Sequence, residues 1–263
     1  MIDIGVNLNH SIFLDDLDHT LTETKQHGVN GIICIASDIE ESLLLAQHCQ
    51  RHPSLWQTIG CHPHQAKTWH VDSQQICREL LNKHHAVAIG ETGLDFNRNY
   101  STPEQQRFAF HQQIELAKEF TLPLYLHERD AHQEMIETLR QHPDVAQHSV
   151  IHCFTGSKEE LDHYLELGLY IGITGWVCDE RRGHDLQSSV PHIPLDKLLL
   201  ETDAPYLLPR NIRPRPKKNH PKYLPYIAEE VARLRGMSVE SLIQASIDNS
   251  QRLFNLSADH HNA

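Results

Sequence analysis

The feature that most constrains the fold is a short apolar run that ends in a carboxylate. Residues 86–90 are apolar or glycine, and Glu91 follows at once, with more polar and glycine residues after it. Both faces of the run are apolar and it is too short for a helix, which is typical of a buried parallel strand. Other short apolar runs end in the same way, on His62, His127, His152 and Asp203. The sequence therefore predicts polar side chains at the carboxyl ends of several buried strands.

Candidate strands alternate with helical patterns along the whole chain. The predicted strands are residues 2–8, 31–37, 56–60, 86–90, 123–127, 149–152, 170–173 and 198–201. This alternation predicts an α/β fold, a (β/α)8 TIM barrel, as a single domain over residues 1–263. An open doubly wound sheet alternates in the same way, but the first strand here runs into Asn7-Leu8-Asn9-His10, without a glycine-rich phosphate loop. In a barrel the strand ends converge on one face, so the polar residues would share one cavity.

Composition limits the partners that the chain can have. Its formal net charge of -12 argues against a protein that binds nucleic acid over its whole surface, so any polyanion site must be local. The six cysteines are scattered without C-x-x-C spacing, which fits a reducing cytoplasm. The N-terminus lacks the pattern of a signal peptide, and no apolar run approaches the length of a membrane span. We therefore expect a cytoplasmic protein without membrane contact, and no pattern indicates an obligate protein partner.

The residue types at the strand ends suggest a metal centre. Glu91, His127 and His152 offer one carboxylate and two imidazoles, which leaves room for water or substrate on a divalent ion. Asp203 is then either a base for the attacking water or a ligand of a second ion. A lone histidine more often only forms a hydrogen bond with a neighbouring loop. That explanation would have to apply independently at each of the strand ends that carry a polar residue. The ligand set does not choose among esters, amides and phosphodiesters.

The stretch after Asp203 favours phosphate. Residues 204–228 contain no acidic residue, although the chain as a whole is acidic. The cations in this stretch, interleaved with prolines, are Arg210, Arg213, Arg215, Lys217, Lys218 and Lys222. Such a stiff loop could hold successive phosphates of a nucleic acid, and Tyr206 offers a face for base stacking. Arg181 and Arg182, after the seventh strand, are further candidate phosphate ligands. The alternative is a solvated basic loop whose prolines only stop a helix.

Several segments match a known family in order along the chain. They include Gly60-Cys61-His62-Pro63-His64, Gly90-Glu91-Thr92-Gly93-Leu94-Asp95, Ile151-His152-Cys153-Phe154-Thr155-Gly156 and Glu201-Thr202-Asp203-Ala204-Pro205-Tyr206. These segments resemble the signature blocks of the TatD-type metal-dependent deoxyribonucleases, which are TIM barrels of the amidohydrolase-like superfamily. The resemblance implies a hydrolase that removes nucleotides from the 3′ end of single-stranded DNA, and by extension of RNA, in DNA repair or nucleic-acid degradation.

The resemblance also assigns roles to residues. It implies that Glu91, His127 and His152 hold the divalent ion, that Asp203 acts on the water as a catalytic residue, and that His62 lies beside the scissile phosphate. The catalytic set is then Asp203, His62 and Glu91, and His64 is expected to contact the substrate. Mg²⁺ is the expected ion, although two imidazoles tolerate Mn²⁺ or Zn²⁺ at least as well.

One departure from the family pattern concerns the first strand. Many relatives carry His-x-His there as ligands of a second ion, and those positions are Gly5 and Asn7 in this chain. We therefore expect one tightly held ion rather than two. Histidines introduced at both positions should raise affinity for a second ion, unless Gly5 is needed for close backbone approach. Two other functions stay open at this point: a metal-dependent hydrolase of a small ester, lactone or amide, and a nucleic-acid-binding barrel without turnover.

Overall fold

The computed structural model describes residues 1–256, which form eight parallel strands with helices between them. The strands are β1 Ile2–Val6, β2 Gly31–Cys34, β3 Leu55–Ile59, β4 Ala88–Asp95, β5 Leu124–Arg129, β6 Val150–Ile151, β7 Tyr170–Ile173 and β8 Leu198–Leu200. Each strand pairs in parallel with the next in chain order. The sheet closes just beyond β8, where the amide of Asp203 donates to the carbonyl of Gly5 and the amide of Asn7 donates to that of Ala204, both at 2.9 Å. The predicted (β/α)8 barrel is confirmed.

The helices surround this sheet, and several of them begin at a residue whose side chain caps the first turn. They are α1 Ser11–Leu14, α2 Leu17–Gln26, α3 Ile39–Arg51, α4 Ser73–Lys83, α5 Pro103–Phe120, α6 His132–Arg140, α7 Pro143–Ala146, α8 Lys158–Glu166, α9 His184–Ser189, α10 Leu224–Arg235 and α11 Val239–Phe254. Thr102 and Ser157 form complete capping boxes at α5 and α8, in which the side chains of the N-cap and third helical residues each bind the other's backbone amide. Within residues 1–256, no helix is both long and apolar enough to cross a membrane.

The prediction that the fourth strand ends at Gly90 is wrong. Strand β4 continues to Asp95 and pairs with β5 as far as Arg129, with a shift in register between Gly90 and Thr92. The change from apolar to polar residues at Glu91 marks the end of the apolar core. The hydrogen bonds between β4 and β5 continue beyond it, because β5 is long enough to supply backbone partners. Glu91 therefore lies at an irregular position within a strand, where a bulge can redirect a side chain.

Helix α5 fixes two of the strand ends near the site. The buried amide of Gln113 accepts from the amide of Cys61 at 2.8 Å and donates to its carbonyl at 3.0 Å. Seven residues earlier on the same helix, Gln106 makes the same paired contacts with the backbone of Asp95, at 2.8 and 2.9 Å. Each glutamine satisfies a backbone donor and acceptor that would otherwise be buried without partners. The helix thereby holds the residues around His62 and Asp95 in place.

Candidate active site

The structure brings the strand-end residues together at the carboxyl end of the barrel. His62 follows β3 and precedes a 3-10 turn at Pro63–Thr68. Glu91 and His127 lie in β4 and β5, while His152 directly follows β6. One atom, Oε1 of Glu91, is the centre of the group: it lies 2.9 Å from Nε2 of His152, 3.0 Å from Nδ1 of His127 and 3.3 Å from Nε2 of His62. Three imidazoles therefore converge on a single carboxylate oxygen.

This carboxylate is ionised despite its burial. Glu91 is 6% exposed, and burial alone would raise the pKa of its carboxyl group. Interactions with the three surrounding imidazoles outweigh burial and hold the pKa of Glu91 well below its usual range. A dry, negatively charged oxygen facing several nitrogen ligands is a suitable environment for a cation.

Two of the imidazoles have a carboxylate on the ring nitrogen that faces away from Glu91. Nε2 of His127 lies 3.3 Å from Oδ2 of Asp95, and Nδ1 of His152 lies 3.2 Å from Oε2 of Glu201. In the neutral ring, a carboxylate at the far nitrogen keeps the proton on that side and leaves the near nitrogen with a free lone pair for a metal ion. Both histidines therefore have the environment of metal ligands.

His62 has the opposite environment. Its Nδ1 accepts a hydrogen bond from the backbone amide of His64 at 3.0 Å. In the neutral ring the proton must then be on Nε2, which donates towards Glu91. Burial lowers the pKa of His62 to about 4, so the ring is neutral near pH 7. His62 is therefore suited to donate a hydrogen bond and not to bind a metal through Nε2.

The distances allow a choice among the possible metal ligands. Ligand atoms of His62, Glu91 and His127 all lie within 4.8 Å of one another, which makes these three a possible metal-binding group. Two ligands at right angles, each about 2.1 Å from an ion, are separated by roughly 3.0 Å. The contacts of Glu91 with His127 and His152, at 3.0 and 2.9 Å, match that separation. Because the proton on His62 points at Glu91, the set Glu91, His127 and His152 fits a divalent ion better than the set containing His62.

Asp203 lies beside this group and is held by Asn7. The side-chain amide of Asn7 donates to Oδ1 of Asp203 at 2.8 Å. Burial raises the pKa of Asp203 to about 7; His152 and the Asn7 hydrogen bond oppose the shift, while Glu91 and Glu201 add to it. Asp203 and Cys153 both adopt left-handed backbone conformations, with φ of 53° and 48°. Such conformations are uncommon for residues other than glycine and recur at functional sites.

Comparison with known proteins identifies the family. Residues 2–255 match the model of a family described as TatD related DNase. The chain belongs to this family. A Pectobacterium parmentieri protein named 3'-5' ssDNA/RNA exonuclease TatD is 47% identical over 259 residues, covering 97% of this chain and 100% of that protein. A Yersinia pseudotuberculosis protein of the same name is 48% identical, with the same coverage. The crystal structure of a TatD homologue from Escherichia coli superimposes with a TM-score of 0.90, 27% identity and 98% coverage of each chain.

These matches confirm the resemblance found in the sequence. The match to the TatD family covers residues 2–255, which is nearly the whole barrel. It supports a nuclease, and it argues against the two alternatives, a hydrolase of small molecules and an inactive binding barrel. A metal-dependent enzyme also agrees with the Glu–His group at the centre of the site.

In this TatD-family barrel, the basic loop is fastened next to Asp203 by a buried asparagine. The side-chain amide of Asn219 donates to the carbonyls of Thr202 at 2.9 Å and Tyr206 at 2.6 Å, and its backbone amide donates to Pro205 at 3.2 Å. Residues 207–218 therefore form a loop whose two ends meet just beyond β8. Tyr206, at the start of the loop, is exposed and has its ring edge against His10.

The predicted phosphate-binding cations of this loop differ in their contacts. Arg215, Lys217 and Lys218 are exposed, and within residues 1–256 they make no hydrogen bond or ion pair. The guanidinium of Arg213 turns back onto its own loop and donates to the carbonyls of Arg210 at 2.6 Å and Ile212 at 2.8 Å. Lys222 pairs with Glu23 of α2 at 3.0 Å, so it anchors the end of the loop.

The other predicted substrate residues also have partners in the protein. Arg181 and Arg182 are exposed and lie 3.6 and 3.2 Å from the buried carboxylate of Asp179, and Arg182 stacks over Trp176 at 4.6 Å. The single negative charge of Asp179 therefore faces the positive charges of both Arg181 and Arg182 and cannot neutralise both. His64 is partly exposed, and its Nε2 lies 2.6 Å from Oδ2 of Asp95. His64 and His127 therefore share one carboxylate.

Sequence reasoning missed Asp95 and Glu201. Asp95 follows Glu91 by four residues in β4, and Glu201 precedes Asp203 by two residues just after β8. Each missed residue is therefore an even number of positions from a predicted one. Side chains two apart on a strand point to the same face, so this spacing was the available signal. The functions of both carboxylates become apparent only from the histidines they contact.

Proposed function

We propose that this protein is a metal-dependent 3′–5′ exonuclease of single-stranded DNA and RNA, whose divalent ion is held by Glu91, His127 and His152. The observation that carries the proposal is the oxygen of Glu91 with two imidazoles at 2.9 and 3.0 Å, each backed by a second carboxylate. The activity named for relatives of up to 48% identity supports the reaction. Mg²⁺ is the proposed ion, and Mn²⁺ or Zn²⁺ would fit the same imidazoles.

The ion would supply Lewis-acid polarisation of the phosphoryl group, and the surrounding residues supply the proton chemistry. Asp203, whose pKa is about 7, suits a group that takes a proton from the attacking water near neutral pH. Asn7 fixes the orientation of that carboxylate. His62, neutral and with its proton on Nε2, is proposed to donate a hydrogen bond to the scissile phosphate.

Substrate selection is proposed to depend on the loop after β8. Arg215, Lys217 and Lys218 carry unpaired charge next to the catalytic strand end, and Tyr206 offers an exposed ring for a base. Arg181 and Arg182, which share the carboxylate of Asp179 with Arg210 of this loop, are proposed to contact the substrate as well, and so is His64. Because a terminal nucleotide must leave its stack to enter the barrel mouth, blunt duplex ends should be cleaved poorly.

We test this function with single strands labelled at either end. The 3′-labelled strand should release a labelled mononucleotide from the first cleavage onwards, whereas the 5′-labelled strand should shorten progressively. EDTA should abolish both signals and added Mg²⁺ should restore them, while Asp203→Asn serves as an inactive control that still folds. Labelled mononucleotide released first from the 5′ end, or full activity in EDTA, would contradict the proposal.

A further inference from the structure

The carboxylate of Glu201 lies fully buried inside the barrel, between the site and the first strand. Its exposure is 0%, and each carboxylate oxygen has a hydrogen-bonding partner. Oε1 accepts from the backbone amide of Cys153 at 2.6 Å, and Oε2 accepts from the hydroxyl of Tyr125 at 2.6 Å and lies 3.2 Å from Nδ1 of His152. Burying a carboxylate is costly unless such partners compensate it. These hydrogen bonds hold the carboxylate of Glu201 in one orientation.

Two glycines make the room for this carboxylate. A Cβ at position 5 would lie 2.5 Å from Oε2 of Glu201 and closer still to the hydroxyl oxygen of Tyr125. A Cβ at position 172 would lie 2.5 Å from Oε1 of Glu201. Neither Gly5 nor Gly172 has the positive φ that favours glycine, so it is the space that requires them. The condition attached to the expected gain from a histidine at position 5 is therefore not met, because Glu201 and Tyr125 already fill that space.

The contact of Glu201 with His152 determines which ring nitrogen of His152 carries the proton. With Oε2 of Glu201 accepting at Nδ1, the proton of the neutral ring stays on Nδ1 and the lone pair of Nε2 points at Glu91. We propose that Glu201, held by Tyr125 and the amide of Cys153, is the positioning residue that keeps His152 in its metal-ligating tautomer, and that Gly5 is needed to admit it. This inference rests on the proposed role of His152 as a ligand.

The substitution Glu201→Gln tests the inference because it changes one hydrogen-bond polarity at nearly constant shape. The amide of Cys153 requires an oxygen at the Oε1 position, so the side-chain NH₂ must occupy the Oε2 position and face His152. Nδ1 of His152 would then have to accept, and the proton would move to Nε2, where it blocks the ion. We expect metal affinity to fall about 10- to 100-fold, the usual effect of losing such a partner.

The second variant, Tyr125→Phe, removes the hydroxyl that donates to Oε2 of Glu201 at 2.6 Å and also lies 3.4 Å from Nδ1 of His152, and it keeps the contact between Glu201 and His152. Its effect on metal affinity should be in the same direction and smaller. Gly5→Ala should lower metal affinity as Glu201→Gln does, because the added methyl group would displace the carboxylate of Glu201. Affinity is measured as free Mn²⁺ by electron paramagnetic resonance, with the visible spectrum of bound Co²⁺ as a readout of ligand geometry. Thermal unfolding of the metal-free proteins monitors the fold.

The outcomes separate the inference from the proposed function. A weaker Mn²⁺ affinity and an altered Co²⁺ spectrum in Glu201→Gln, with metal-free unfolding close to the parent's, support the inference. An unchanged Mn²⁺ affinity in Glu201→Gln overturns it, while the parent still binds its ion as proposed. Should Glu201→Gln fail to fold, Tyr125→Phe decides by the same two measurements. A parent protein that binds no Mn²⁺ would overturn the proposed metal site, and the inference with it.

Discussion

The structure sharpens the prediction that the loop after β8 holds a nucleic-acid backbone. Arg215, Lys217 and Lys218 are exposed and make no ion pair within the described residues, whereas Arg213 donates to carbonyls of its own loop. A variant with the three free cations changed to glutamine should therefore lose most of the electrostatic contribution of the loop. Arg213→Gln is the matched control, because it removes a neighbouring charge that the loop itself already binds.

The expected magnitude follows from counterion release. Each charge that contacts a phosphate of a single strand contributes about 0.7 to the slope of log affinity against log salt, so three contribute roughly 2. Between about 50 and 200 mM salt, the parent should lose roughly 20-fold more affinity than the triple variant. Arg213→Gln should change the slope by far less than the contribution of one phosphate contact.

Fluorescence anisotropy of a labelled single strand with Asp203→Asn as the common background measures this slope without turnover. The rate of cleavage of fully bound substrate, measured in active protein, should change little, because the loop positions the strand and does not act on the scissile bond. An equal slope for parent and triple variant would exclude the loop from substrate binding. A slope change for Arg213→Gln as large as that for a free lysine would refute the distinction drawn from the contacts.

The remaining predictions concern the site, the loop anchor and pH. Alanine at Glu91, His127 or His152 should abolish tight Mn²⁺ binding, whereas Asp203→Asn should keep the ion and lose turnover; full activity of Asp203→Asn would disprove its role. Asn219→Ala removes the hydrogen bonds to the buried carbonyl of Thr202 and the part-buried carbonyl of Tyr206 and should cost about 1–3 kcal/mol in urea unfolding; no loss would show that the anchor is dispensable. Burial lowers the pKa of His220 to about 4, so between the usual value of 6.5 and 4 the unfolded chain binds more protons and stability falls as pH falls. His220→Asn keeps an acceptor for the amide of Lys222 and should remove roughly 2 kcal/mol of the loss between about pH 7 and 4.5; parallel pH profiles for parent and variant would contradict this.

Local sequence was sufficient to predict the barrel and much of the site. Buried parallel strands are apolar on both faces, and capping residues such as Thr102 and Ser157 mark helix starts through contacts within a few residues. Because all strands of a barrel point the same way, polar residues near the carboxyl ends of different strands, such as Glu91 and His152, had to lie close together. Their convergence on one oxygen follows from topology together with the bulge in β4.

Tertiary structure decided which polar atoms face each other, and hence the role of each residue. His62 and His152 look alike in sequence, but a backbone amide on one ring and Glu201 on the other give them opposite tautomers. Gly5 appeared to be a missing ligand, and packing shows that it is the space for a carboxylate. The sequence by itself determined the fold and the reactive residue types, because these depend on local pattern. Proton positions and clearances depend on contacts between residues up to two hundred positions apart, which only the folded barrel brings within hydrogen-bonding distance.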